Sequence, residues 1–217
     1  IIRIGSTITI GSCLISNVLN DFSQELPHTE TYTFIGNTHM IEEKILRSEL
    51  DIGIVEGKIH HPDLIMVPSI RDFLVLGCAD THPFADRETI HVAELEDQKF
   101  IIREPGSGTR ALFDQFIKRH SLNIRTSWEA TCPDAFRNAI LYNQCLAVIS
   151  VRLLERDIRS GQIRIFNPHT NELERFFSLV YHKDKVFTPA MNAVRNIIAH
   201  YRQPDWLDNV PVGVLNE

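Results

Sequence analysis

The stretch FIIREPGSGTR at residues 100–110 leads from an apolar run into a small polar loop and then into a helical pattern. Phe100–Ile102 is apolar and partly β-branched, as is typical of a buried strand. The glycine-bearing loop 106–109 follows it. The next apolar residues recur at helical spacing: Leu112, Phe113, Phe116 and Ile117. A strand that leads into a helix through a short loop is the building unit of an α/β fold.

The same alternation of strand and helix occurs in two blocks, Ile1–Cys78 and Phe100–Phe166. Alternation of this kind predicts mostly parallel sheets with helices on both faces. Two blocks favour two small α/β domains over one large sheet. The sequence therefore predicts the α/β class.

Four local expectations follow from the patterns. Ser6–Ile10 is expected to be a polar hinge after the first strand. Leu64–Val67 and Phe73–Cys78 are expected to be two separate strands. Thr188 before Pro189 predicts the start of the last helix, with Thr188 as N-cap. The Pro- and Asp-rich tail from residue 204 is expected to be loose.

The chain has 217 residues with 22 Lys+Arg and 28 Asp+Glu, so its formal net charge is −6. This acidic balance disfavours a broad nucleic-acid-binding surface, which needs clustered basic residues. No apolar run approaches the roughly 18–20 residues that span a bilayer, and no signal peptide is recognisable. The four cysteines lack C-x-x-C spacing, which favours buried, reduced thiols in a cytoplasmic protein.

Three junctions between a strand and a helix are small and polar: Ser6–Thr9, Gly106–Thr109 and Thr131–Asp134. Ligands of open α/β sheets bind at the carboxyl ends of strands, and helix N-termini favour anions. The junctions therefore predict a site for a carboxylate, sulfate or phosphate. The alternative interpretation is that they are ordinary helix caps.

Several kinds of site are disfavoured by spacing. Gly106-Ser107-Gly108 is not a Walker A loop, since no Gly-Lys-Ser/Thr follows it. It is not a nucleophile elbow either, since Pro105 and Thr109 stand where glycines are needed. His60, His61 and His82 lack the spacing of a metal site. We therefore expect no enzyme, no metal and no cofactor. Arg103 and Arg110 flank the loop and could each bind an anion, or could face solvent.

The ordered motifs of the chain resemble the effector-binding domain of LysR-type transcriptional regulators over about residues 1–202. The residues that carry the resemblance are Ile4-Gly5, Leu19, Phe22, Pro27, Gly36–Thr38, Leu50–Ile54, Phe73–Leu76, His82–Phe84, Phe100–Arg110 and Cys145–Ser150. The resemblance implies a type 2 periplasmic-binding-protein-like fold, with two Rossmann-like subdomains joined by two crossover hinge strands. Regulatory subdomain I would comprise residues 1–77 and 182–217, and regulatory subdomain II residues 78–181. The family's N-terminal winged helix-turn-helix is absent from this chain, so DNA would bind only through that missing domain.

The resemblance also implies a ligand site. Thr7 and Thr9 match the family's ligand-binding loop after the first strand, and Ser6 lies beside them. The other expected ligand-binding residues are Asn37, Thr38, Glu56, Ser107, Gly108 and Thr109. Glu56 departs from the small or hydroxyl residue that is frequent there. A carboxylate at that position disfavours a bare anion and favours a ligand with a hydrogen-bond donor. Cys145 stands where a glycine is usual.

The implied partner is a small-molecule effector, a small anion or carboxylate, that binds in the cleft between the subdomains and shifts their angle. Such a shift requires different affinities for the two arrangements. The resemblance further implies a dimer, a tetramer in the full-length protein, and no membrane association. The alternative function is a free-standing type 2 solute-binding protein of a transport system.

Overall fold

The computed structural model describes residues 1–202 and 204–217. The chain packs into two compact units. The first unit consists of Ile1–Asp72, Gly106–Gly108 and residues 175–202. The second unit consists of Phe73–Pro105, Thr109–Glu174 and Pro204–Glu217. Each unit is therefore assembled from segments that are distant in sequence.

Strands and helices alternate along the chain. The strands are β1 (Ile2–Thr7), β2 (Thr31–Gly36), β3 (Ile52–Glu56), β4 (Leu64–Ala79), β5 (Thr89–His91), β6 (Lys99–Arg103), β7 (Arg125–Ala130), β8 (Ala147–Ser150), β9 (Ile163–Pro168), β10 (Glu174–His182) and β11 (Val212–Asn216). The α-helices are α1 (Ile8–Cys13), α2 (Ile15–Glu25), α3 (Thr38–Leu46), α4 (Gly108–Arg119), α5 (Pro133–Asn143), α6 (Glu155–Arg159) and α7 (Pro189–His200). Single 3-10 turns lie at Val92–Leu95, Val151–Leu154, Asn171–Leu173 and Asp205–Asn209.

The first unit is built on the parallel strands β2, β1 and β3, in that order. Strand β10 runs antiparallel to β3, with Phe177 opposite Glu56. Helices α2 and α7 contribute Val18, Phe22 and Val194 to one hydrophobic cluster. Helix α3 contributes Ile41 and Ile45 to another. Helices and parallel strands thus combine as the strand–helix alternation predicts.

The second unit pairs β4 antiparallel with β8 and β9. Strand β11 lies parallel between β9 and β5. Strands β6 and β7 form a parallel pair of their own. Two hydrophobic clusters fill the unit, one around Phe100, Phe113 and Phe166, the other around Phe136 and Ile149. This unit therefore also has the α/β composition that the sequence predicts.

The C-terminal tail is ordered, so the expectation of a loose tail is wrong. A 3-10 turn at Asp205–Asn209 precedes β11, and Leu215 is buried in the core of the second unit. Pairing with β9 and β5 holds this strand in that unit. The resemblance implied that the whole stretch 182–217 belongs to regulatory subdomain I, whereas Pro204–Glu217 belongs to the second unit. The units also divide between residues 72 and 73 and between 174 and 175, several residues before the implied boundaries.

Two further expectations differ from the structure. The strands expected at Leu64–Val67 and Phe73–Cys78 form one continuous strand, β4. The polar residue Asp72 does not interrupt it, because its carboxylate is buried and accepts a hydrogen bond from Arg175. The polar stretch Ser6–Ile10 is no open hinge, since β1 extends to Thr7 and α1 begins at Ile8.

Thr188 caps α7 as predicted, since its hydroxyl accepts a hydrogen bond from the Met191 amide. All four cysteines are free, with Cys78 and Cys145 buried, whereas Cys132 is exposed rather than buried. None of the helices in the described residues combines the length and the apolar character needed to cross a bilayer.

Candidate functional site

Three of the expected ligand-binding residues lie at one edge of the first unit's sheet. Thr7 ends β1, and it is in register with Gly36 at the end of β2. Asn37 follows Gly36, and Glu56 ends β3. Because β1, β2 and β3 are parallel, their carboxyl ends meet at this edge. The structure thus brings these residues together, as the sequence predicts.

The side chains of Asn37 and Thr38 form hydrogen bonds that fix the loops at this edge of the sheet. The Asn37 side-chain oxygen accepts a hydrogen bond of 3.0 Å from the Met40 amide and so caps α3. The buried Thr38 hydroxyl donates a hydrogen bond of 2.6 Å to the Glu56 backbone carbonyl. Both side chains therefore have a structural role at the edge.

The loop Gly106–Gly108 belongs to the first unit and packs on the same edge. The His39 amide donates a hydrogen bond of 3.4 Å to the Gly106 carbonyl. A Cβ atom added to Gly108 would lie 2.3 Å from the Glu56 carbonyl oxygen, so only glycine allows this approach. The approach brings Ser107, which is buried, to the group of candidate residues. Thr109 is buried in the second unit, in the first turn of α4.

A buried charge cluster lies at the end of β3. Glu56 accepts a hydrogen bond of 2.9 Å from the Thr9 hydroxyl through Oε1. Its Oε2 lies 3.4 Å from Nη2 of Arg175. The Arg175 Nε donates a hydrogen bond of 2.8 Å to Oδ2 of Asp72. The exposed fraction of these residues is 0% for Thr9, 1% for Glu56, 1% for Asp72 and 8% for Arg175.

The charge cluster includes the carboxylates of Glu56 and Asp72 and the guanidinium of Arg175. Burial by itself lowers the pKa of Arg175, but the neighbouring Glu56 and Asp72 carboxylates outweigh it, and the net pKa is raised. Arg175 is therefore a permanent cation within the cluster. Neither Arg175 nor Asp72 was among the residues predicted from the sequence. Each directly precedes an apolar strand run, Phe176–Tyr181 or Phe73–Cys78, and a charged residue at that position was the available signal.

The hydroxyl groups of the first loop differ in their bonding. Ser6 donates a hydrogen bond of 3.2 Å to the Thr7 carbonyl. Among the described residues, Oγ1 of Thr7 is buried and has no hydrogen-bond partner. Thr7 is also the N-cap of α1, and its side chain does not cap that helix. Buried hydroxyls are normally bonded, so Thr7 offers an unused bonding capacity at this edge.

The two arginines that flank the loop already have carboxylate partners. Arg103 is buried and pairs with Glu104 at 2.9 Å. Arg110 pairs with Asp114 at 2.8 Å and donates to the Arg103 carbonyl at 2.8 Å. The expectation that these arginines face solvent is thus not met, since both guanidinium groups have partners within the protein.

His120, Glu172 and Glu217, in the second unit, offer metal-ligand atoms within 4.8 Å of one another. Both oxygens of Glu172 are already engaged. Arg119 donates to one at 2.7 Å, and a ring nitrogen of His120 lies 2.8 Å from the other. These ion pairs explain, without a metal ion, why His120 and Glu172 lie close together. The group does not include His60, His61 or His82.

The comparisons with known proteins agree on one family. The family model described as LysR substrate binding domain matches residues 1–203. The HTH-type transcriptional regulator CysL of Bacillus subtilis (strain 168) is 25% identical over 195 residues, which cover 90% of this chain and 63% of CysL. The RuBisCO operon transcriptional regulator of Acidithiobacillus ferrooxidans is 27% identical over 188 residues, which cover 87% and 61%. The chain thus spans less than two thirds of the length of these relatives.

Solved structures are similar over nearly the whole chain. The CcmR regulatory domain of Synechocystis PCC6803, in complex with 2-PG, superposes with a TM-score of 0.83 at 24% identity, covering 91% of this chain and 95% of that one. The effector-binding domain of QuiR in complex with shikimate gives 0.79 at 19% identity, covering 92% and 95%. The predicted type 2 periplasmic-binding-protein-like fold is confirmed. The family match also confirms the expectation of a ligand-binding domain rather than an enzyme.

Proposed function

Because the chain belongs to the LysR substrate-binding-domain family, we propose that it is the ligand-sensing part of a LysR-type transcriptional regulator. The relatives that it matches are regulators that extend well beyond the length of this chain. We assign DNA binding to a winged helix-turn-helix in that further length, and a cytoplasmic location to the whole protein. The relatives favour this function over a solute-binding protein of a transport system. The complete gene is expected to encode that domain before residue 1.

The effector is proposed to bind at the edge of the first unit's sheet. The observation that carries this placement is the buried Thr7 hydroxyl, which lacks a partner among the described residues. Leaving such a group unbonded costs about 1–3 kcal/mol, and a ligand acceptor or donor would remove that cost. Thr9 and Ser107 are buried residues of the same unit. Asn37, Thr38 and Gly108 are proposed to shape the site through their loop contacts.

The chemistry of this edge favours an acid that also carries a hydrogen-bond donor. Helix α4 begins at Gly108, and the free N–H groups and dipole of a helix N-terminus favour a negative charge. The Glu56 carboxylate opposes a bare anion, because like charges repel at short range. A hydroxyl or ammonium group that donates to Glu56 relieves this repulsion. We therefore propose a small hydroxy acid or amino acid as the effector class.

Self-association is proposed as well, as a dimer of this chain and a tetramer of the full-length protein. Strand β2 lies at the end of the sheet, and its apolar side chains Tyr32 and Ile35 are half exposed. An edge strand with exposed apolar residues favours association. We further propose that the two units are the family's two regulatory subdomains. Sedimentation equilibrium of the chain tests the dimer, and a monomer at all concentrations would contradict it.

A thermal-shift screen with matched ligand pairs tests the site and the effector class together. The pairs are glycolate with acetate and lactate with propionate, which differ only by a hydroxyl group. Shikimate, 2-PG and inorganic phosphate complete the panel. A ligand at about 100 times its dissociation constant stabilises the fold by roughly 2.7 kcal/mol, which raises the midpoint measurably. The hydroxylated member of each pair is expected to be the better stabiliser.

The variants Thr7→Val and Ser107→Ala locate the binding. Thr7→Val keeps the shape of the side chain and removes the unbonded hydroxyl, so the free protein should keep its stability or gain some. Binding of the stabilising compound should nevertheless weaken. Thr89→Val, in β5 of the second unit, is the matched control and should bind normally. A compound that stabilises the wild type, Thr7→Val and Ser107→Ala equally would place its site elsewhere.

A further inference from the structure

Arg175 connects the candidate site to the two strands that pass from one unit into the other. Asp72 is the last residue of β4 that belongs to the first unit, and Arg175 is the first residue of β10 that belongs to it. We call β4 and β10 the crossing strands. The hydrogen bond of 2.8 Å from Arg175 Nε to Asp72 Oδ2 links them at the residues where they leave the first unit.

The other end of the Arg175 guanidinium faces Glu56. Its Nη2 lies 3.4 Å from Oε2 of Glu56, while Oε1 of Glu56 accepts the bond from Thr9. A continuous buried chain of polar groups therefore runs from the Thr9 hydroxyl through Glu56 and Arg175 to Asp72. The guanidinium is planar and rigid, so its contacts with the two carboxylates depend on each other.

We propose that Arg175 is a positioning residue that couples the state of Glu56 to the crossing strands. This inference rests on the proposed function, in which Glu56 meets the donor group of the effector. When Glu56 gives part of its bonding capacity to a ligand, its hold on Arg175 weakens, and the bond between Arg175 and Asp72 readjusts. Effector binding is thereby transmitted to the strands that join the units.

The composition of the charge cluster supports a role beyond stability. A buried ion pair can often be replaced by apolar residues of similar volume without loss of stability. Arg175 also lies over the Phe177 ring, with 5.6 Å between the guanidinium carbon and the ring centroid, a cation–π contact that helps to fix the orientation of the guanidinium.

Hydrogen exchange of the 217-residue chain without ligand tests the coupling. Four proteins are compared: wild type, Glu56→Gln, Arg175→Met and the double variant. The measured segments are residues 72–79 and 174–182 of the crossing strands. In the wild-type background, Glu56→Gln is expected to speed exchange there about tenfold, because it removes the charge that pairs with Nη2 of Arg175. In the Arg175→Met background the same change should no longer speed exchange, since the ion pair that it breaks is already absent.

The non-additivity shows that Glu56 and Arg175 act on the crossing strands through each other. Its confinement to residues 72–79 and 174–182 separates this coupling from a general loss of stability, which would speed exchange throughout the first unit. Equal effects of Glu56→Gln in both backgrounds, or no effect in either, would overturn the proposal. Arg137→Met removes the ion pair of 2.8 Å with Asp157 in the second unit and is the matched control. It should leave residues 174–182 unchanged.

Arg175→Lys keeps the proposal testable if Arg175→Met does not fold. A lysine retains the positive charge but lacks the fork of N–H groups that meets both carboxylates. The same comparison of Glu56→Gln in the two backgrounds then applies. The exchange readout needs no effector, so a failure of every compound in the thermal-shift screen counts against the proposed function and leaves this test intact.

Discussion

Gly108→Ala is expected to destabilise the first unit and to displace the loop of Ser107. The new Cβ would lie 2.3 Å from the Glu56 carbonyl oxygen, 2.7 Å from its carbon and 2.9 Å from Cα of Gly57. Ordinary van der Waals contact begins at 3.4 Å. All three obstructing atoms belong to the backbone, so no side-chain rotation relieves the clash. One of the two loops must therefore move.

The size of the effect follows from two opposing contributions. Overpacking of this kind typically costs 1–3 kcal/mol, and the backbone obstruction places Gly108→Ala at about the upper end. Alanine is the better helix former by about 1 kcal/mol at most, and Gly108 is the first residue of α4. The net loss is about 2 kcal/mol, which corresponds to a midpoint lowered by about 4–8 °C for a chain of this size.

Thermal and urea unfolding measure the loss, and the thermal-shift panel measures the effect on binding. Gly161→Ala is the control: Gly161 has a φ of +77° and no atom within 4 Å of an added Cβ. It should cost about 1 kcal/mol through backbone strain alone and leave ligand binding intact. A Gly108→Ala chain within about 0.5 kcal/mol of the wild type, with unchanged binding, would refute the proposed packing of this loop.

Three further predictions concern other parts of the molecule. Burial alone would raise the pKa of Asp51, but hydrogen bonds from Arg3 and Lys185 lower it far below its usual range. The resulting stabilisation is present at neutral pH and is lost as the pH falls below about 4. Asp51→Asn should therefore lower the free energy of unfolding at pH 7. In urea unfolding, the variant should also show a smaller decrease of this free energy between pH 7 and acid than the wild type. Burial raises the pKa of Cys78 to about 12, so its thiol should be unreactive at pH 8 in the folded chain. Mass spectrometry after iodoacetamide treatment should find the exposed Cys132 labelled in the native chain, and Cys78 labelled only after unfolding. Thr188→Ala should cost about 1 kcal/mol in thermal unfolding, and Thr188→Ser should restore most of it.

The α/β fold was accessible from the sequence because its signals are local. Buried β-branched strands such as Ile52–Glu56 and the cap of Thr188 depend on neighbouring residues alone. Strand β11 was missed, because its burial depends on pairing with β9, which lies far away in sequence. The continuity of β4 was also missed, because Pro68 and Asp72 both interrupt its apolar pattern, and Asp72 is compensated by Arg175, 103 residues further along the chain.

The candidate site was predicted in part. The family resemblance implied Thr7 and Asn37, and Glu56 was placed at the end of a strand; the parallel pairing of β1, β2 and β3 brings the three to one edge. Which of them serve the structure was not accessible, because the cap on Asn37 and the bond of Thr38 to Glu56 depend on the folded loops. The roles of Arg175 and Asp72 required the pairing of distant strands. The ligand-binding assignments themselves stay predictions.

A crystal structure of the chain with the tightest-binding compound of the panel tests the central claim most directly. The account predicts the compound at the edge of the first unit's sheet, with its acid group near Thr7 and Ser107 and its donor group toward Glu56. A compound bound instead to the surface groove of the second unit, lined by residues such as Phe116, Arg119 and Glu172, would contradict the account.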